Sequence, residues 1–182
     1  MGGCVEVLAR EGYRHASLAR IAEVAGVSKG LVSHYFANKE ALMEQTALAT
    51  VGFLRAEIRS GLDLTASVPD IIRAALRYAS QLRHTHATEL RALDQIVHNL
   101  HGPDGAPRLD LRAYEDTYRD EEQLFRRGQR DGTLRDFDTR VMAVTYQGAI
   151  DTMLAYLDAH PDTDPHTYAD ALADLLLHAI SR

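Results

Sequence analysis

Thiol chemistry is nearly missing from this 182-residue chain: Cys4 is its single cysteine, so no internal disulfide can form. A reducing cytoplasm is the expected setting. No apolar run approaches the roughly 20 residues that cross a bilayer, and the N-terminus lacks the charged-then-apolar pattern of a secretion signal. No membrane partner is therefore expected. Catalytic signatures are missing as well. There is no P-loop, no GxSxG turn, no HExxH helix and no strand-rich segment. The paired Glu-x-x-His repeats that a di-iron bundle needs are not present either. Neither enzyme activity nor a cofactor is expected. Positive charge is in short supply: the net charge is −6, with 20 Lys and Arg against 26 Asp and Glu. The deficit is uneven. Residues 1–59 hold seven basic against six acidic side chains, and residues 60–182 hold thirteen against twenty. A nucleic-acid partner would have to meet the first part, with the acidic remainder facing away.

Apolar residues are plentiful, at 46%, and the length suffices for one or two domains with a sizeable core. Their spacing is helical almost throughout, and an all-α fold is expected. The organising stretch is 17–39, SLARIAEVAGVSKGLVSHYFANK. Ser17 is placed to cap a helix whose Leu18, Ile21, Ala22 and Ala25 recur at i, i+3, i+4 and i+7. Gly26 ends that helix, because the residue after a helix often needs positive φ. Val27 is expected to plug the corner, and Ser28 to cap a second helix through His34. Tyr35 and Phe36 end it, and Asn38 caps the next. This is the spacing of a helix-turn-helix, whose second helix lies in the DNA major groove. Ser28, Lys29, Ser33 and His34 can all donate hydrogen bonds to phosphates or base edges. Lys39 stands beside the outward N–H groups of a helix start, which suits a phosphate.

The run GYRHASLARIAEVAGVSKGLVSHYFANKEAL resembles the DNA-binding region of the tetracycline-repressor (TetR) family of bacterial transcriptional regulators. The resemblance rests on Gly12-Tyr13, Ser17, Ile21-Ala22, Ala25-Gly26-Val27-Ser28, Lys29-Gly30, Tyr35-Phe36 and Lys39-Glu40-Ala41-Leu42, and covers roughly residues 4–58. It implies that the second hairpin helix reads the major groove, that Tyr35 touches the DNA backbone and that Lys39 sits on a phosphate. DNA contact is thereby expected at Ser17, Ser28, Lys29, Gly30, Leu31, Ser33, His34, Tyr35 and Lys39. Leu31 and Ser33 depart from the small hydroxyl residue and the tyrosine usual at those two places. They bear on which operator is read. Family members carry one or two further helical turns and a basic arm ahead of the hairpin. Here the first helix is expected over 4–11, shorter than usual, with Val5, Leu8 and Ala9 inward and lower stability in consequence.

Beyond the hairpin a long helix is expected from Asn38 to Ser60, with Leu42, Thr46, Ala49, Phe53 and Ala56 near one face and Leu48, Val51 and Leu54 close by. Further helices are expected from Ser67 with Pro69 in the first turn, from about Thr85 to Leu100, from about Leu109 to Arg130, from Asp138 to about Ala159, and from Asp164-Pro165 onward. Gly102 to Pro107 must be a loop. The expected division is a DNA-binding domain at 1–59 and a helical effector-binding and dimerisation domain at 60–182. The last two helices are apolar over more than one stripe, which suggests a partner on the second face. The resemblance implies a homodimer through them, matching the two-fold symmetry of paired half-sites. It also implies a small-molecule effector that releases the protein from double-stranded operator DNA, repression being the commoner mode. Tyr78, Tyr114, Tyr118, Gln147 and Asp151 are the polar and aromatic candidates for that pocket, against a reading as core and dimer seam. His84 with His86, and His98 with His101 one turn from Asp94, are the closest histidine groupings; no metal is expected at them. Asp174 and His178 are expected to form an ion pair. Two alternatives stand beside the repressor: a helical small-molecule-binding protein with a structural hairpin, and a regulator controlled by a protein partner.

Overall fold

The computed structural model describes residues 1–102, 104–106 and 114–182, and among them the backbone forms nine helices. They are α1 (Gly2–His15), α2 (Leu18–Val24), α3 (Lys29–Tyr35), α4 (Lys39–Ser60), α5 (Val68–Thr85), α6 (Ala87–Asn99), α7 (Glu115–Arg130), α8 (Thr139–Ala159) and α9 (Pro165–Ile180). Local chemistry sets most of their starts. Ser17, Ser28, Asp138 and Asp164 each accept a backbone N–H of the first turn, and Asn38 Oδ1 accepts from Ala41 N at 2.8 Å. Ser67 and Asp70 bond each other across the first turn of α5. Gly26 and Gly132 adopt φ of 67° and 72°, where a side chain would be strained. Pro103, Pro107 and the expected start of α7 at Leu109 lie outside the described residues.

The compact units do not follow a linear cut at 59/60. One unit comprises Met1–Leu54 with the described residues of His86–Ala113, the other Arg55–Thr85 with Tyr114–Arg182. In the first unit α6 packs along α1, and Leu8, Met43 and Ile96 are wholly enclosed. Each such side chain contributes about 1.5–3 kcal/mol by leaving water. The first helix is longer than expected. Gly12 does not end it but kinks it, at φ 80° and ψ 168°, and helical backbone resumes to His15. Its inward residues are Cys4, Val7 and Leu8; Leu8 matches the expected face, while Val5 and Ala9 are only half-buried. Gly3 lies so close to Ala25 that an added Cβ would stand 2.8 Å from the alanine Cβ, which fixes the start of α1 against the hairpin turn. Val27 does not plug the corner; it is 39% exposed, and its N–H donates to Ala22 O.

The buried face of α4 is also rotated from the expected one. Leu42, Thr46 and the neighbouring Leu54 are inward as expected, but they are joined by Met43, Ala47 and Thr50, while Leu48, Ala49, Phe53 and Ala56 face out. Two threonines can be buried there because Thr50 donates its hydroxyl to Thr46 O at 2.8 Å. Phe53 instead packs edge-on against the His86 ring at 5.4 Å.

In the second unit α5 packs against α8 and α9, and α7 against α8. Phe125 is fully enclosed, edge-on to both Phe137 and Tyr146 at 5.9 and 5.8 Å. Gly128 lets the chain return closely, since a Cβ there would meet the Leu134 side chain at 2.6 Å. The surface of α5 is tied to α9 by Arg77–Asp170 and Arg73–Asp174 at 2.5 and 2.8 Å. Asp174 therefore spends its carboxylate on Arg73, and His178 takes the Asp174 backbone carbonyl at 2.7 Å instead of the expected ion pair. No helix among the described residues is long and apolar enough to cross a membrane.

Candidate functional site

The hairpin is built from two seven-residue helices, so each has about two turns in which to anchor itself. On α2, Ile21 and Ala22 are buried, Leu18 is half-buried and Ala25 is exposed. On α3 only Val32 is buried. One inward residue in seven leaves the rest of α3 to solvent. Lys29, Gly30, Leu31, Ser33, His34 and Tyr35 are all exposed, Tyr35 at 71%. The His34 and Tyr35 rings meet edge-on at 5.3 Å, which restricts both on the surface. Ser17 and Ser28 are exposed but already employed: their hydroxyl oxygens accept Arg20 N at 3.2 Å and Leu31 N at 3.1 Å. Each hydroxyl keeps its own proton for donation.

Lys39 is only half-buried, and its ammonium is committed to the protein. It donates to Tyr13 O at 2.5 Å and stands 4.2 Å from the centre of the Tyr13 ring. Burial lowers its proton affinity, with Glu40 pulling the other way. An ammonium has three donors, so this contact leaves others for a phosphate.

Other charges of the first unit are largely spent. Arg20 holds Glu11 in a two-pronged contact at 2.6–3.0 Å and Glu23 at 3.0 Å, and Arg10 pairs with Glu6. The Arg20 hydrogen bond keeps the Glu11 carboxyl below the usual range. Arg14 and Lys29 are exposed and carry no ion pair among the described residues. Arg14, in the last turn of α1, is thus a cation open to a phosphate that is absent from the residues expected to touch DNA. A signal for it exists in the sequence: two basic residues, Arg14 and His15, end that helix just before the hairpin.

Four of the five pocket candidates meet in the second unit. The Tyr114 and Tyr118 rings lie 6.1 Å apart, Gln147 donates to Asp151 Oδ1 at 2.8 Å, and Tyr114 hydrogen-bonds Asp151. The contacts of Tyr78 are elsewhere; it is 47% exposed with its ring against Gly61. Two residues not singled out from the sequence join the group. Tyr146 is buried with its hydroxyl lacking a hydrogen-bond partner, and Glu121 has a buried Oε2 equally unpartnered, among the described residues. Burial, then the nearby Asp151 and Asp120, pushes the Glu121 carboxyl up to about 8, against the pull of Arg55. Burial likewise raises Asp151, although that residue keeps accessible surface. Burial is the first cause of both upward shifts, and acidic neighbours add to it at Glu121 alone.

The histidine groupings behave differently. His98 closes back on Asp94, its Nδ1 2.9 Å from Oδ1. Among the described residues no three His, Cys, Asp or Glu side chains gather as a metal site would require.

Residues 3–46 match the family model described as "Bacterial regulatory proteins, tetR family". The HTH-type transcriptional regulator BetI of Pectobacterium atrosepticum is 42% identical over 67 residues, which is 36% of this chain and 33% of that protein. The chain thus spans about a third of the length of the curated relatives it matches. Among solved structures, the fatty acid degradation regulator FadR from Bacillus halodurans superposes with a TM-score of 0.74 at 21% identity, over 97% of this chain and 91% of that one. A TetR-family transcriptional regulator from Haemophilus influenzae RD does so with a TM-score of 0.71 at 20% identity, over 100% and 93%. At such identities the superpositions show a shared all-helical fold.

Proposed function

We propose that this chain, a tetR-family protein by its residues 3–46, is a homodimeric transcriptional repressor that binds operator DNA and leaves it when a small molecule binds. The observation that carries the reading is α3 itself. A two-turn helix capped by Ser28 and pinned by Val32 alone turns Lys29, Ser33, His34 and Tyr35 to solvent together. A helix that serves only packing would bury more than one residue in seven. Lys29 and Arg14 supply cations without ion pairs among the described residues, and Ser33 and His34 supply donors for base edges. Leu31, exposed on the same helix, can meet a thymine methyl.

Dimerisation is supported by α8 and α9. Leu175 is 72% exposed and Val141 63%, and Tyr156 adds a large exposed ring. Large apolar side chains left in water on two helices favour a partner surface. A two-fold dimer places two copies of α3 on half-sites about one helical turn apart. The Tyr114, Tyr118, Gln147 and Asp151 group supports an effector site, and Glu121 and Tyr146 extend it. An effector that prefers the conformer with displaced readers lowers operator affinity by the ratio of its affinities for the two conformers.

Selection from a pool of random duplexes tests the reading. Recovery of a palindromic site is the expected result; a pool that emerges unenriched would refute it. An effector-independent palindrome would favour control by a protein partner through the acidic second part of the chain.

A further inference from the structure

Glu121 stands out from the acidic residues around it by what it lacks. Along α7, Glu115 is held by Arg140 and Arg119, and Glu122 by Arg140 and Arg126. Those arginines neutralise the carboxylates on either side and leave Glu121 out. The cation that pulls its carboxyl downward is Arg55, whose Nη1 donates to the Thr117 hydroxyl at 3.5 Å, and no ion pair to Glu121 forms among the described residues. Its Oε2 is buried without a hydrogen-bond partner. A buried carboxylate oxygen in that state costs free energy until something donates to it.

The neighbouring groups deepen the deficit. From α8, Asp151 brings a second carboxyl into electrostatic range. Tyr146, only 3% exposed, packs its ring on Phe125 one turn along α7 from Glu121, and its hydroxyl is also unpartnered. Burial, and after it Glu121, raises the proton affinity of that hydroxyl. Tyr114 and Tyr118 line the same side of α7 and add aromatic surface. Asp151 itself is exposed, so the group has one carboxyl at the surface beside the buried Glu121 oxygen.

We infer that Glu121, with Asp151 and Tyr146, holds the nitrogen of a protonated primary or secondary amine, and that the effector belongs to this class. The inference rests on the effector reading given above. An anionic ligand would set a negative charge beside Asp151 and a carboxyl already held protonated. A neutral one would leave the Glu121 proton in place. An ammonium with N–H donors takes over from that proton and donates to Oε2, and tyrosine faces suit its apolar substituent. Binding should drive the proton off Glu121, because a cation favours the ionised carboxylate.

The test is calorimetric titration of the full chain with hexylammonium, 1-hexanol, hexanoate and hexyltrimethylammonium. Hexylammonium should bind at least about tenfold tighter than hexanol or hexanoate, as a charge-assisted hydrogen bond implies. The binding enthalpy should vary with buffer ionisation enthalpy, reporting proton release. In Glu121→Gln, with its helical signal checked first, both the preference and the proton release should vanish; Tyr146→Phe should weaken hexylammonium alone. Hexanol or hexanoate binding as well as hexylammonium would overturn the inference, as would no binding by any probe. Equal binding of hexyltrimethylammonium, which has no N–H, would overturn the hydrogen-bonded assignment. Retention of operator DNA by the unliganded wild-type chain, measured on the same preparation, tests the regulator reading separately. A chain that binds hexylammonium as expected but no DNA would leave the amine site standing and the regulator reading refuted.

Discussion

Lys39 reaches back 26 residues to Tyr13, its ammonium 2.5 Å from the tyrosine carbonyl oxygen and 4.2 Å from the ring centre. Tyr13 comes directly after the kink at Gly12, and its N–H is taken by Gln95 Oε1 of α6 at 3.2 Å. The backbone at the kink is thus gripped on one side by α6 and on the other by the first residue of α4. Lys39→Ala removes one grip. It should lower stability by about 1–2 kcal/mol, the range for a charge-assisted contact in partial shelter. It should also weaken DNA binding by a similar factor on every sequence. Denaturant melts and binding to two unrelated duplexes check both parts. An unchanged melting midpoint would show that the Tyr13 contact does not support the fold.

The proposed function gives base reading to different side chains. Ser33→Ala and His34→Ala should change which duplexes are retained, each by about 1–3 kcal/mol at the affected base pair, while stability stays within about 0.5 kcal/mol because both are exposed. Selection repeated with each variant reads this directly. Uniform loss across all sequences would move them to the phosphate-contacting class.

Glu121 gives the stability of the chain a definite pH slope. Its carboxyl is raised from near 4.5 to about 8 by burial, then by Asp151 and Asp120, with Arg55 opposing. A group whose folded value is raised contributes stability below its unfolded value and loses that contribution as pH rises to the folded one. Unfolding free energy should therefore fall between about pH 4.5 and 8 through this group, and the raised Asp151 acts in the same direction. Glu121→Gln mimics the protonated form and removes that part of the slope. The variant should gain on the wild type by on the order of 1–2 kcal/mol between pH 5.5 and 8. Urea melts at the two pH values decide it; a constant difference would remove Glu121 from the account.

The proposed dimer surface is tested at Leu175. A charge placed there should cost little within the protomer, since the side chain is 72% exposed, and much at a buried apolar interface. Leu175→Glu should sediment as a folded monomer with reduced operator affinity. A variant that stays dimeric with wild-type affinity would place the interface elsewhere.

How much of the structure is legible in the sequence depends on the range of the interactions involved. Ser17, Ser28, Asn38, Asp138 and Asp164 act on groups two or three residues away, so their capping roles are written locally. Gly26 is equally legible, because positive φ after a helix is a local demand. The inward face of α4 is not. That helix carries apolar residues on nearly every side, and packing partners elsewhere in the chain decide which are covered, leaving Phe53 outside and Thr50 inside. The kink at Gly12 looks like a helix end in the sequence for the same reason: Gln95 and Lys39, both distant in the chain, hold Tyr13 just beyond it. Membership of α6 in the first unit has no local signature at all. Within the proposed effector group, Tyr114, Tyr118, Gln147 and Asp151 can be picked as polar or aromatic groups on apolar helices. Glu121 cannot, because the run Asp120-Glu121-Glu122 reads as a solvated face. Only the distribution of arginines in space shows which of its carboxylates is left uncompensated.

Whether the exposed helix α3 meets DNA as part of a dimer is decided by the salt dependence of duplex binding. Affinity measured from about 50 to 200 mM salt should fall steeply, with a slope of log K on log salt of about −4 or steeper if each protomer neutralises at least two or three phosphates. Lys29→Ala should make that slope shallower by about one for each protomer. A flat response, or binding too weak to measure at 50 mM, would contradict the claim and leave the hairpin as a structural element of a helical ligand-binding protein.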